Sequence, residues 1–161
     1  MGHITVCGLG PGGPGGLTEA TAAALAGPDP VHLRTRRHPT AERAAGAASF
    51  DDLYEQADTF DEVYQTIADS LTAEAERHGR VVYAVPGSPL ILERSVRHLR
   101  DRAAADPALE VELLPALSFL DEAWARLGVD PVDDGVRLVD GHRFAVEAAG
   151  ERGPLLVAHA H

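Results

Sequence analysis

The sequence predicts an α/β protein: an open parallel sheet flanked by helices, followed by a segment of different composition. Three observations predict it. Apolar, strand-like runs alternate with segments of helical period from residue 3 to residue 127. The run Val81-Val82-Tyr83-Ala84-Val85 is apolar without a break, as a strand covered on both faces is. Three predicted strands end in small loops containing Gly, Pro or Ser, which a parallel sheet gathers on one edge.

Taken in order, His3 to Gly8 reads as the first strand. A loop follows, Gly8-Leu9-Gly10-Pro11-Gly12-Gly13-Pro14-Gly15-Gly16. Leu17 to Ala26 is Ala-rich and reads as a helix with Thr18 as N-cap. The turn Gly27-Pro28-Asp29-Pro30 leads to a second strand, Val31 to Thr35. Residues 36–58 are polar and read as loop with a short helix. Thr59-Phe60-Asp61-Glu62 is a capping-box pattern. After it Phe60, Val63, Tyr64, Ile67, Ala68, Leu71 and Ala75 fall at helical spacing, up to Gly79. Arg80 to Val85 is the buried strand. Ser88 as N-cap and Pro89 as first helical residue predict a helix with Leu92, Val96, Leu99 and Ala103 on one face. Leu109 to Leu114 is a further strand. Ser118 starts a helix whose apolar face is Leu120, Ala123, Trp124 and Leu127, ended by Gly128. Composition shifts near 128–135, a candidate boundary between residues 1–128 and 129–161. Two short strands are expected there, Val136 to Val139 and Leu155 to Ala158. The last of them either completes the main sheet or marks the chain as a piece of something longer.

Composition narrows the classes. A chain of 161 residues with 45% hydrophobic and 24% charged residues can build a core without disulfides or metal. Cys7 is the only cysteine, which excludes a disulfide framework and a Cys-rich zinc site. There is no apolar run of about 18 residues and no basic start of a secretory signal, so the expected location is the cytoplasm. A net charge of −11 argues against general nucleic-acid binding. Every basic residue is arginine, which excludes a lysine Schiff base and a phosphate loop ending in Lys.

Four motifs could carry chemistry. Gly8-Leu9-Gly10-Pro11-Gly12-Gly13 matches G-x-G-x-x-G, and glycines at a strand end let backbone N–H groups approach a ligand. Pro11 and Pro14 interrupt the dinucleotide fingerprint, however, so a dinucleotide-binding fragment is disfavoured. Val85-Pro86-Gly87-Ser88-Pro89 and Pro115-Ala116-Leu117-Ser118-Phe119 both stand at strand-to-helix junctions. Simple helix capping by Ser88 and Ser118 competes with a ligand-binding reading. Arg34-Thr35-Arg36-Arg37-His38-Pro39 is a basic cluster on the same edge, able to hold a carboxylate or phosphate or merely to be solvated. The eight histidines show no ligand spacing. His159 and His161, two apart, read as bystanders, so no metal is expected. The adjacent acidic pairs, such as Asp61-Glu62, point in different directions and make no ready carboxylate dyad.

Together these loops resemble the tetrapyrrole (corrin/porphyrin) methylases. The match is closest to the methylase-like N-terminal domain of the YabN type, which is fused to a MazG-type nucleotide pyrophosphohydrolase. The matching pieces are Gly8-Leu9-Gly10-Pro11-Gly12 with Leu17-Thr18, Arg34-Thr35 with His38-Pro39, Ser49-Phe50-Asp51-Asp52-Leu53-Tyr54, Val82 to Leu90, and Ser118-Phe119-Leu120-Asp121. The resemblance implies a two-lobed α/β protein binding S-adenosylmethionine (SAM), with residues 1–128 as the first lobe and 129–161 as the opening of a second lobe that is incomplete in this chain. It implies SAM contacts from Pro11, Gly87, Ser88, Ile91, Ser118 and Phe119. It puts Gly8, Gly10, Gly12, Arg34 and His38 at the mouth of the substrate cleft. The family's common Gly-Asp-Pro is here Gly87-Ser88-Pro89, which removes a carboxylate, as in the YabN-type pattern. The implied activity is methyl transfer to a small-molecule acceptor, with a second copy of the chain as partner in a homodimer. The alternative is a non-catalytic ligand-binding or dimerisation module that partners a MazG-type pyrophosphohydrolase.

Overall fold

The structure, a computed structural model, describes residues 1–159. It divides into two compact units, Met1–Phe119 and the residues from Leu120 onward. The first unit contains β1 (Gly2–Gly8), β2 (Val31–Leu33), β3 (Ala48–Ser49), β4 (Arg80–Val85) and β5 (Leu109–Leu113). These form one parallel sheet in the order β3-β2-β4-β1-β5. β4 is the central strand, and it and its neighbour β1 are the two strands buried along almost their whole length. Alternate side chains of β4 serve opposite faces. Val81, Tyr83 and Val85 join Ile4 and Val6 in one core, whereas Val82 and Ala84 join Cys7, Leu9 and Leu33 in the other.

The helices of this unit follow from local signals. In α1 (Glu19–Ala26) the Thr18 side chain accepts from the Thr21 N–H at 3.2 Å, and Leu25 enters the second core. In α3 (Phe60–His78) Thr59 caps the Glu62 N–H and Gly79 ends the helix at φ +80°. Val63, Ile67 and Leu71 on its inner face are buried, contributing about 1.5–3 kcal/mol each. α2 is a single turn (Leu53–Gln56), and α4 (Arg94–Ala105) buries Val96 and Leu99 in the first core. On the edge strand β5, Glu110 and Glu112 flank the His3 ring of β1 at 3.1 and 3.2 Å. Among the described residues, no helix is long and apolar enough to cross a membrane.

Three expectations are corrected in this unit. Ser88 caps no helix: α4 starts at Arg94 with Glu93 as N-cap, because Gly87 at φ +65° and Leu92 at φ +58° break the helical path. Leu92 is accordingly exposed rather than on the inner helix face. The second strand stops at Leu33, since the Thr35 hydroxyl turns to donate to Asp51 at 2.5 Å. Within residues 36–58 lies β3, a two-residue strand too short to leave a hydrophobic period, beside a 3-10 segment (Pro39–Ala44).

α5 (Phe119–Leu127) begins at the last residue of the first unit and continues in the second, closed by Gly128 at φ +65° and by Val129 N–H donating to the Trp124 carbonyl at 3.2 Å. Leu127, expected on the apolar face, is exposed. Strands β6 (Arg137–Asp140) and β7 (Leu155–Ala158) pair in parallel, so β7 does not complete the main sheet. A short helix, α6 (Phe144–Glu147), lies between them in sequence, and Val139 is the buried residue of β6. His161 lies outside the described residues.

Candidate functional site

The connections of β1 and β4 leave in opposite directions. The helix after β1, α1, packs on the face with Cys7 and Val82, whereas the helix after β4, α4, packs on the face with Val6 and Tyr83. Adjacent strands whose loops part to opposite faces leave a crevice at their carboxyl ends, the usual ligand position in an open α/β sheet. Two backbone bonds cross this crevice. Gly87 N–H donates to the Gly10 carbonyl at 2.9 Å, and Gly10 N–H to the Gly87 carbonyl at 3.2 Å. Gly87 sits at φ +65° with open space where a Cβ would stand, so its backbone faces the opening uncovered.

A pocket of about 220 Å³ opens there. Pro11, Gly87, Ser88, Ile91, Ser118 and Phe119, the six residues the family resemblance marks for SAM, all line it. Gly10 and His38 line the same pocket. The other three residues assigned to the substrate mouth do not. Gly8 ends β1, packed so closely that a Cβ would lie 2.2 Å from the Gly87 carbonyl oxygen. Gly12 has its carbonyl taken by the Thr40 hydroxyl at 3.2 Å. Arg34 is engaged in an ion pair beneath the loops.

His38 holds the glycine loop. Its Nδ1 accepts from the Thr40 N–H at 3.2 Å, which leaves Nε2–H to donate to the Gly10 carbonyl at 3.1 Å. That is the neutral imidazole with its tautomer fixed. Burial lowers the His38 pKa, and the bond to Gly10 only partly opposes this.

The sequence reading missed the polar network under the Ser88–Glu93 loop. Arg34 donates to Glu93 Oε2 at 2.9 Å and to the Tyr54 hydroxyl at 2.9 Å. Its guanidinium also lies 5.8 and 5.7 Å from the Tyr54 and Tyr64 ring centroids. The Ser95 hydroxyl donates to Glu93 Oε1 at 2.8 Å and meets the Tyr83 hydroxyl at 2.9 Å. Burial raises the Glu93 pKa, with Arg34 and Ser95 pulling it back part-way. Burial opposes the Arg34 charge, but Glu93 and Tyr54 more than offset it, so its pKa lies above the ordinary value. The network anchors the segment in which Leu92 takes a left-handed φ and Ile91 faces the pocket. The remaining cluster charges are also engaged: Arg36 on the Ala47 carbonyl at 2.5 Å, and Arg37 near Glu55 at 3.7 Å. A larger groove of about 510 Å³ lies at the amino end of β2, lined by His32, Arg43 and Glu74. It is away from the strand ends that gather the motif loops.

An open parallel sheet with a glycine-clipped pocket at its switch point is the arrangement in which α/β folds place small-molecule ligands. The sequence matches the profile of the Tetrapyrrole (Corrin/Porphyrin) Methylases over residues 3–155, and the chain belongs to that family. It is 35% identical over 164 residues to the uncharacterized protein YabN of Bacillus subtilis, covering 99% of this chain and 33% of that protein. The chain thus spans about a third of the length of this curated relative. Among solved structures it is similar to a uroporphyrin-III-C-methyltransferase from Thermus thermophilus. That match has a TM-score of 0.71 and 22% identity, over 97% of this chain and 67% of the other. A uroporphyrin-III C-methyl transferase from the same organism, complexed with S-adenyl homocysteine, aligns with a TM-score of 0.66 and 21% identity. It covers 98% of this chain and 70% of the other. These likenesses show the fold.

Proposed function

We propose that the chain binds SAM through the Gly10–Pro11, Gly87–Ile91 and Ser118–Phe119 loops. We read it as part of a methyltransferase acting on a small-molecule acceptor. The observation that carries this reading is the convergence of all six residues marked by the family resemblance on one pocket wall. The chemistry of that wall fits the ligand. Ile91, Phe119 and Pro11 offer apolar surface for an adenosine, and the Gly87 carbonyl, one lone pair of which is taken by the Gly10 N–H, keeps an acceptor position at its edge. The imidazole on the wall is neutral, so it does not repel a sulfonium. At about 220 Å³ the pocket lies below the ~300–1,000 Å³ of typical small-molecule sites, so this wall accounts for part of the ligand.

SAM supplies an electrophilic methyl group on sulfur. The protein's share is then to orient it toward the acceptor and to keep water out. The anchored Ser88–Glu93 segment and the His38 clip on the glycine loop serve the first task.

One observation favours a second reading, a ligand-binding or dimerisation module without turnover. The pocket wall carries Ser88 where the family has a carboxylate, and its histidine is engaged at both nitrogens. In that reading the homodimer and a MazG-type pyrophosphohydrolase are the partners.

Thermal shift with S-adenosylhomocysteine tests the SAM site. Ligand at 100 times Kd stabilises by about 2.7 kcal/mol, or about 5–11 °C for a chain of this size. Ile91→Asp and Phe119→Asp are expected to abolish the shift while leaving the far-UV spectrum intact. A shift that survives both variants contradicts the site. A shift with no methyl transfer to any acceptor tried, and a dimer in sedimentation, selects the second reading.

A further inference from the structure

The parallel pair β6–β7 ends in a group of side chains that the proposed SAM site does not use. Asp140 is the last residue of β6 and is in register with Ala158, so the next residue of the second strand, His159, emerges beside it. His142 follows two residues after Asp140. The Asp140 carboxylate oxygen Oδ1 stands 2.9 Å from His142 Nδ1 and 3.3 Å from His159 Nδ1. One ligand atom from each of the three residues lies within 4.8 Å of the others. The two imidazole rings are 5.2 Å apart at 67°.

The backbone is shaped to make this approach. A Cβ on Gly141 would lie 2.5 Å from the His159 carbonyl oxygen, so only glycine lets the two strand ends come this close. His159 itself takes φ +55°, a conformation non-glycine residues rarely adopt and one that turns up at ligand sites. The carboxyl ends of parallel strands are also where α/β folds present their ligand groups.

We propose that Asp140, His142 and His159 bind one divalent transition-metal ion, with Zn²⁺ as the reference. Two ligands each about 2.0–2.1 Å from a tetrahedral zinc stand roughly 3.3–3.4 Å apart, which is the Asp140–His159 separation; the 2.9 Å from Asp140 to His142 is that of a hydrogen bond, whose proton a metal displaces as the pair widens. The third closes by rotation of the exposed imidazoles. Two imidazoles and one carboxylate select a borderline metal over Mg²⁺ or Ca²⁺, which take oxygen ligands. Three protein ligands leave a fourth position for water or an anionic group. This site rests on no part of the SAM reading.

The test uses untagged protein, stripped with chelator and titrated with Zn²⁺ by calorimetry and with Co²⁺ by visible absorption. One equivalent is expected, with a cobalt d–d band. Asp140→Asn, His142→Asn and His159→Asn are each expected to weaken binding by at least about tenfold. His78→Asn, a surface histidine elsewhere, is expected to leave it unchanged. Circular dichroism confirms that each variant is folded. Absence of stoichiometric uptake overturns the proposal, and so does uptake that survives Asp140→Asn and His142→Asn.

Discussion

Replacing Arg34 by Met removes the counter-charge of a carboxylate that the fold has taken out of water. The Glu93 side chain is 3% exposed and Arg34 24%, with 2.9 Å between them. Breaking one partner of such a pair costs about 3–5 kcal/mol, because the surviving charge stays buried and unpaired. For a chain of this length that is roughly 6–20 °C in Tm. The loss must also depend on pH in a definite direction. Without Arg34, the bonds from Ser95 alone oppose the burial that raises the Glu93 pKa above 4.5, so the folded state holds its proton more tightly than the unfolded chain does. Stability is then fully present below pH 4.5 and falls as pH rises through the raised folded pKa. The penalty of Arg34→Met is therefore larger at pH 8 than at pH 5. Arg34→Met/Glu93→Gln leaves no buried charge and recovers most of the loss. Urea denaturation of the wild type and both variants at the two pH values measures all three quantities. A penalty under about 1 kcal/mol, the worth of a surface pair, refutes the reasoning. A penalty independent of pH, or no recovery in the double variant, refutes it equally.

Three further outcomes are expected. Cys7 is buried, which pushes its thiol up to about 12, so Ellman's reagent at pH 8 should find no thiol until the chain is unfolded. His38 is held neutral with a lowered pKa, so the folded state resists its protonation and loses stability as pH falls from 6.5 through the folded value. The drop in Tm from pH 7.5 to 5 should shrink in His38→Asn; an unchanged slope removes His38 from the acid response. Leu71→Ala should cost about 2–5 kcal/mol by urea titration, since the side chain is wholly buried between α3 and the sheet.

The sequence was most legible where one local signal sufficed. The capping box at Thr59 and the spacing from Val63 to Ala75 define α3, and the apolar run of β4 marks the sheet centre. β3 was illegible because two residues carry no period; its pairing comes from the neighbouring strand. Ser88 misled for a physical reason. Ser-Pro is a genuine helix-start pattern, but the bridge from Gly87 to Gly10 bends the chain and moves the start to Arg94. The pocket loops were readable as loops of Gly, Pro and Ser. The Arg34–Glu93 pair was not, since a lone Glu before a helix looks like any surface carboxylate until the fold buries it. The Asp140 and His159 cluster was hidden likewise, because the parallel register of β6 and β7 brings together what spacing alone keeps apart.

The proposed SAM site is the crevice at the β1–β4 switch point, lined by Pro11, Gly87, Ser88, Ile91, Ser118 and Phe119. Calorimetric titration of this chain with SAM and with S-adenosylhomocysteine tests it most directly. Saturable one-to-one binding with a micromolar Kd, about −8 kcal/mol, is expected, and it is lost in Ile91→Asp. No heat with either ligand, from protein whose urea transition shows it folded, contradicts it.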